Sequence, residues 1–210
     1  MGATITVSAD GSGASTVTTR LSTDADALNS IQLDSGDILM TTVGTQSQDM
    51  SMTDILGDIT YSATFNGADQ SGASYDIALN RKVGFVSAPS SVVTMPSPFD
   101  ITGPTSTAMI SRADDVTVTY DMSGTSDPMS WSVSSGTCVS SPSGAVSNDS
   151  GSFTISSSAL APTAANEQTA ICQVTITLKR TRLGSIDTHY GYGGTITAVQ
   201  ERSVTFTSMP

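Results

Sequence analysis

The chain has 210 residues and a formal net charge of -11, with 37% hydrophobic and only 13% charged residues. A surface this acidic repels nucleic acid and anionic lipid at long range, which argues against DNA or RNA binding. No apolar run approaches the ~20 residues that a membrane-spanning helix needs.

The length suits two domains of about 100 residues each. Serine and threonine take the place of the missing charged residues, and Val, Ile and Thr recur in alternating runs, the period of half-buried strands. Lysine occurs only at Lys82 and Lys179, and glutamate only at Glu167 and Glu201. A soluble helix puts such residues on its wet face, so their scarcity predicts an all-β chain.

The opening "MGATITV" begins directly in a strand, and a signal segment removed upstream is expected. Strands are predicted at "ATITVSA" (Ala3–Ala9), "STVTTRL" (Ser15–Leu21), "NSIQL" (Asn29–Leu33) and "ILMTTV" (Ile38–Val43). The stretch "DMSMTDIL" (Asp49–Leu56) reads either as a strand or as a helical turn capped by Ser51 or Thr53. "ITYSATF" places Ile59, Tyr61, Ala63 and Phe65 on one face, and "SYDIALNR" does the same for Tyr75, Ile77 and Leu79. The intervening "NGADQSGA" is read as a hairpin connection. Pro89, Pro96, Pro98 and Pro104 then mark edge strands and a linker, which sets a boundary between residues 1–95 and 96–210.

In the second half, "DVTVTYD" places Val116, Val118 and Tyr120 together, and "MSWSVS" places Met129, Trp131 and Val133 together. "GSFTIS" aligns Phe153 with Ile155, and "CQVTITLKR" aligns Cys172 with Val174, Ile176 and Leu178. The last strand, Gly194–Ser208, is expected to carry a bulge near Val199 or Gln200 that changes its facing residues.

Cys138 and Cys172 are the only cysteines, and neither belongs to a C-x-x-C pair. Cys172 is in phase with its strand's apolar face, and Gly136 allows a kink that turns Cys138 inward. A core disulfide joining a strand end to a neighbouring strand follows, as expected in an oxidising compartment. Trp131 precedes both cysteines, so this bridge differs from the antibody one.

Loops and the last strands hold the other candidate residues. Asp24 and Asp26 in one loop, and Asp114 and Asp115 in another, offer hard oxygen ligands that suit calcium as a cofactor, although Asp also shapes turns. Tyr190 and Tyr192 alternate with glycines in "HYGYGG" and could stack a glycan. His189 is the only histidine, and no G-x-S-x-G elbow accompanies it, so no enzyme is expected. Lys179, Arg180, Arg182 and Arg202 read either as an anion or glycan patch or as partners of acids such as Glu201.

The stretches "SADGSG", "LDSGD", "YSATF", "RADDVTVTYDMSGTSDPM", "SGTC", "GSFTI" and "CQVTITLKRTRLGSID" resemble uncharacterised bacterial envelope proteins. Many of these look like lipoproteins with Ig-like sandwiches behind a lipid anchor. The resemblance implies a periplasmic, outer-membrane-anchored or extracellular protein, and it carries no catalytic motif. The expected fold is two tandem Ig-like antiparallel β-sandwich domains. The expected function is a non-catalytic structural or binding module with a protein or glycan partner. The alternative is a calcium- or glycan-dependent adhesion module.

Overall fold

The computed structural model describes residues 1–23, 30–164 and 168–210. The chain is all-β. Its described residues include one short 3-10 turn, Ser157–Leu160, and no helix long and apolar enough to cross a membrane. It divides into two compact units, Met1–Ser97 with Thr181–Gln200, and Pro98–Arg180 with Glu201–Pro210.

Unit 1 is built from β1 (Gly2–Ala9), β2 (Ala14–Ser22), β3 (Ile38–Val43), β4 (Gln46–Asp49), β5 (Ser51–Ile55), β6 (Asp58–Asn66), β7 (Ser74–Asn80) and β8 (Ala88–Thr94). One sheet runs β1-β2-β6-β5 and the other β4-β3-β7-β8, with antiparallel neighbours throughout. In immunoglobulin lettering these are A-B-E-D and C′-C-F-G, the connectivity of an Ig-like sandwich. Alternation supplies the core: Ile5, Val7, Val17, Leu21, Phe65, Tyr75, Ile77 and Leu79 are all buried.

Of the two readings of residues 49–56, a strand or a helical turn, the structure has the strand, β5. Met50 is buried between two strands whose residues are all exposed, and the chain changes sheets there. Residues Ile31–Leu33 of "NSIQL" form no strand; Ile31 N–H donates to the Leu21 carbonyl, and Leu33 N–H to the Tyr61 hydroxyl. Asn29 lies outside the described residues. "NGADQSGA" is not a hairpin, because it carries the chain from β6 in one sheet to β7 in the other. Tyr75 fixes this corner: its hydroxyl donates to the Ala68 carbonyl and bonds Ser15 Oγ. A tyrosine at the start of strand F bonded back to upstream backbone is the tyrosine corner of Ig sandwiches. The proline-marked stretch also contains β8, a full strand at the end of its sheet path.

Unit 2 adds β9 (Ile101–Gly103), β10 (Met109–Ser111), β11 (Val116–Tyr120), β12 (Met129–Ser134), β13 (Ser143–Val146) and β14 (Ser152–Ile155), with parts of β15 (Cys172–Leu183) and β16 (Gly194–Met209). One sheet is β9-β11-β14; the other is β13-β12-β15-β16, with β10 parallel to the end of β16. These correspond to A-B-E and C′-C-F-G, again an Ig-like arrangement. Trp131 stacks on Phe153, centroids 5.8 Å apart, and Gly144 makes room for the indole: a Cβ there would lie 3.0 Å from Nε1.

The expected bulge in the last strand is not found. Ile196, Ala198 and Gln200 are buried in unit 1, and Phe206 and Ser208 in unit 2, all of one parity. Thr175–Thr205 and Thr177–Ser203 hydroxyl pairs keep β15 and β16 in register.

Thr181–Gln200, the distal part of the β15–β16 hairpin, belongs to unit 1, so the second sandwich is not one uninterrupted segment. Gly194–Gln200 runs parallel to β1, from Ala3↔Gly194 to Ala9↔Gln200. Ser185 and Val92 of β8 exchange backbone hydrogen bonds of 2.8 and 2.9 Å. Two glycines permit the fit: a Cβ on Gly184 would lie 2.2 Å from the Val92 carbonyl oxygen, and one on Gly194 1.9 Å from that of Ala3.

The disulfide joins Cys138, just past β12, to Cys172, the first residue of β15. β12 and β15 are neighbours, so the bridge ties a strand end to the adjacent strand. The Arg112 guanidinium lies 3.6 Å from both sulfurs and donates to the Ala170 carbonyl. With the cysteines 34 positions apart, the Cys138→Ala/Cys172→Ala variant is expected to lose about 3–4 kcal/mol in urea unfolding, from the wider unfolded ensemble.

Candidate functional site

The end of unit 1 where β2 finishes and β3 begins gathers several loops. The β5–β6 turn is two residues long, Leu56-Gly57, with φ of 56° and 88°. Two positive values in succession favour Asn-Gly or Gly-Gly, because a bulky side chain in the left-handed region crowds its own backbone. Asp54 Oδ1 accepts the Gly57 N–H at 2.8 Å. Ser30 Oγ donates to the Gly57 carbonyl and accepts the Ile59 N–H. The turn is therefore held in place, and it presents Leu56 fully to solvent, at 104% relative exposure.

At the same end, the β7–β8 loop, residues 81–87, is tied to the segment before β3. Asp37 accepts Arg81 Nε at 3.0 Å and the Lys82 N–H at 2.9 Å, and Asp34 accepts Lys82 Nζ at 3.1 Å. Burial pushes the Asp37 carboxyl up, but the Lys82 amide and the Arg81 guanidinium outweigh it and hold it below its ordinary value. Arg81 and Lys82 lie 4.6 and 5.3 Å from the Phe85 ring centroid. Above this anchored base, Val83 is fully exposed, and Phe85 and Val86 are more than half exposed.

The tip of the β15–β16 hairpin reaches the same end, where Tyr192 N–H donates to the Met1 carbonyl. Asp187 accepts the Ser90 N–H and pairs with His189 Nδ1 at 2.7 Å. Burial raises the Asp187 carboxyl, but the His189 and Ser90 amides and the His189 ring outweigh it and lower its pKa. Tyr190 is 2% exposed, within the core, whereas Tyr192 is 59% exposed, so the two rings do not form a shared platform. Among the described residues the Tyr190 hydroxyl has no hydrogen-bond partner, and burial pushes its pKa upward.

The remaining sequence candidates fall elsewhere. Asp24 and Asp26 lie outside the described residues. Asp114 closes a backbone turn onto Ser111, and Asp115 Oδ1 accepts the Ser157 N–H, both in unit 2. Among the described residues no three His, Cys, Asp or Glu side chains gather as a metal site would require. The cations of the last strands are individually engaged: Lys179 with Glu201 at 2.8 Å, Arg202 with Asp100 at 3.6 Å, and Arg182 with Thr94 Oγ1 and the Met95 carbonyl. Arg180 is fully buried and bonds Asp149 at 3.2 Å.

Sequence reading did not single out the Leu56 turn or the Val83–Val86 loop. The available signal was "RKVGFV", an apolar run behind a basic pair in an acidic chain, and a leucine where a turn asks for asparagine.

Both units thus define Ig-like β-sandwiches by their strand connectivity, and unit 1 also by its tyrosine corner. The disulfide marks a protein of an oxidising, non-cytoplasmic compartment. No family model and no curated protein matches the chain. Among solved structures it is similar to the chicken CNTN1 FN1-FN3 domains, at 12% identity and a TM-score of 0.34, over 98% of this chain and 64% of that one. The chain thus spans less than two thirds of that structure's length. It is similar as well to a two-domain fibronectin type III segment of chicken tenascin, at 12% identity and a TM-score of 0.28, covering 98% and 97% of the two chains. Fibronectin(III)-like modules of Clostridium thermocellum CbhA give 10% identity and a TM-score of 0.28, covering 99% and 93%.

Proposed function

We propose that the chain is a non-catalytic binding module of a cell-envelope or secreted protein, and that the loop end of unit 1 grips a protein partner. The observation that carries this reading is Leu56: a fully exposed leucine kept at positive φ on a well-anchored turn, at the same loop end of unit 1 as exposed Val83, Phe85 and Val86. Backbone strain that displays an apolar side chain is the kind of cost retained at ligand clamps, and clustered exposed apolar side chains mark interaction sites. Loops at one end of an Ig-like sandwich are also where variable domains bind. The chain carries a net charge of -11, and at this end Asp34, Asp37 and Asp58 pair with Lys82, Arg81 and Arg20. The partner's complementary chemistry is an apolar cleft on a protein of net positive charge, and added salt should slow association.

Leu56→Asn separates binding from folding. Asparagine tolerates the left-handed region, so the variant is expected to gain about 1 kcal/mol, raising the thermal midpoint of unit 1 by about 4–8 °C. The same change, combined with Val83→Ser and Phe85→Ser, should abolish capture of partner proteins from native extracts. Capture undiminished by the triple variant would refute the assignment of the site.

A further inference from the structure

The geometry points to a second use of the seat between β1 and β8: it accepts the hairpin of another copy of this chain, producing a dimer by exchange of Thr181–Gln200. The inference is independent of what the loop end binds.

Three observations carry it. First, the seat is a sheet-edge acceptor on both sides. β1 takes seven consecutive partners from Gly194–Gln200, and Val92 of β8 exchanges two backbone hydrogen bonds with Ser185. Second, the hairpin completes the core of unit 1 rather than decorating it. Tyr190, Ile196 and Ala198 are buried there, and the buried Gln200 side chain donates to the Asp69 and Pro96 carbonyls. Asp187 adds two tethers, accepting the Ser90 N–H and donating its own N–H to Ser91 Oγ. Third, the hairpin is rooted in the strands of unit 2, while unit 1's own eight strands lead onward through Met95–Pro98, which holds two prolines. None of the hairpin's bonds depends on which copy supplies it, so the seat binds the same element in cis or in trans. Exchange of an identical element is a low-cost route to dimers, and concentration decides between the two.

The test uses the full chain with its native disulfide intact. It is unfolded in guanidinium chloride, refolded at low and at high protein concentration, and weighed by light scattering after gel filtration. The expected result is a dimer whose fraction rises with refolding concentration and persists on dilution, because return requires the hairpin to leave its seat. A Val92→Cys/Ser185→Cys variant, oxidised before unfolding, locks the hairpin in cis. These residues are a hydrogen-bonded cross-strand pair, whose ~5.5 Å Cα separation suits a disulfide. The locked protein should refold to monomer at every concentration, while the Leu56→Asn/Val83→Ser/Phe85→Ser protein should dimerise like wild type. Wild type that stays monomeric throughout, or a locked variant that dimerises equally, overturns the proposal.

Discussion

Gly194→Ala is expected to unseat the β15–β16 hairpin from unit 1 and lower its stability by about 3 kcal/mol or more. A Cβ at that position would sit 1.9 Å from the Ala3 carbonyl oxygen, within the β1 backbone, so relief requires the two strands to part. Gly184→Ala should behave alike, because its Cβ would lie 2.2 Å from the Val92 carbonyl oxygen. Gly193 provides the control: its φ is 71°, but a Cβ there meets nothing within 4 Å. Gly193→Ala should cost only about 1–2 kcal/mol, the price of an alanine in the left-handed region. Urea unfolding separates the cases, and hydrogen exchange should show amide protection in residues 195–200 lost in the Gly194 and Gly184 variants but kept in the Gly193 variant. Equal costs at Gly193 and Gly194 would mean that backbone conformation, not close approach, limits these positions.

The second large effect is expected at the buried ion pair of unit 2. Arg180 is in phase with Val174, Ile176 and Leu178, so its guanidinium enters the core. There it bonds both Asp149 oxygens, donates to the Asp121 and Pro98 carbonyls, and lies 4.8 Å from the Phe99 ring centroid. Asp149→Ala leaves that charge buried without its counter-ion and is expected to cost about 3–5 kcal/mol. Adding Arg180→Met should recover much of the loss, since removing both charges also removes their desolvation cost. The pair has a pH signature. Burial raises the Asp149 carboxyl, but the Ser123 hydroxyl and amide, with Arg180, outweigh it and depress the folded pKa. A depressed carboxylate contributes stability above its unfolded pKa of about 3.9 and loses it as pH falls through the lower folded value. Asp37 and Asp187 shift in the same direction, so wild type should weaken as pH falls below about 4. Asp149→Asn should flatten that slope, as followed by urea midpoints across acid pH.

Much of the fold was legible because its signal is local. Period-two alternation located β1, β2, β6, β7, β11 and β15, and the phase of Cys172 with Val174 placed the disulfide in the core. The failures have non-local causes. A glycine-rich loop between two strands reads as a hairpin unless the tyrosine that latches it to upstream backbone is noticed, and Tyr75 looked like any core residue of an alternating strand. β4 and β5 are exposed along their whole length, so alternation could not reveal them, although β5 was one of two readings of its stretch. Arg180 was grouped by charge with Lys179 and Arg202, when its parity already put it inside. The seat of the hairpin rests on pairing across about 190 residues, which periodicity cannot see. At the loop end, sequence reading favoured residue types with known chemistry, namely aspartate, histidine and tyrosine. Apolar side chains on turns became visible only once their exposure and positive φ were known.

The most direct measurement on the binding claim is site-specific photo-crosslinking. A benzophenone amino acid is placed at position 56, at 83, and at the exposed Gln48 of β4 as a control, and the protein is irradiated in native extract. The account predicts one shared adduct from positions 56 and 83, absent at 48 and suppressed by excess wild-type protein but not by the Leu56→Asn/Val83→Ser/Phe85→Ser protein. Adducts that arise equally at position 48, or none at 56 and 83, would contradict it.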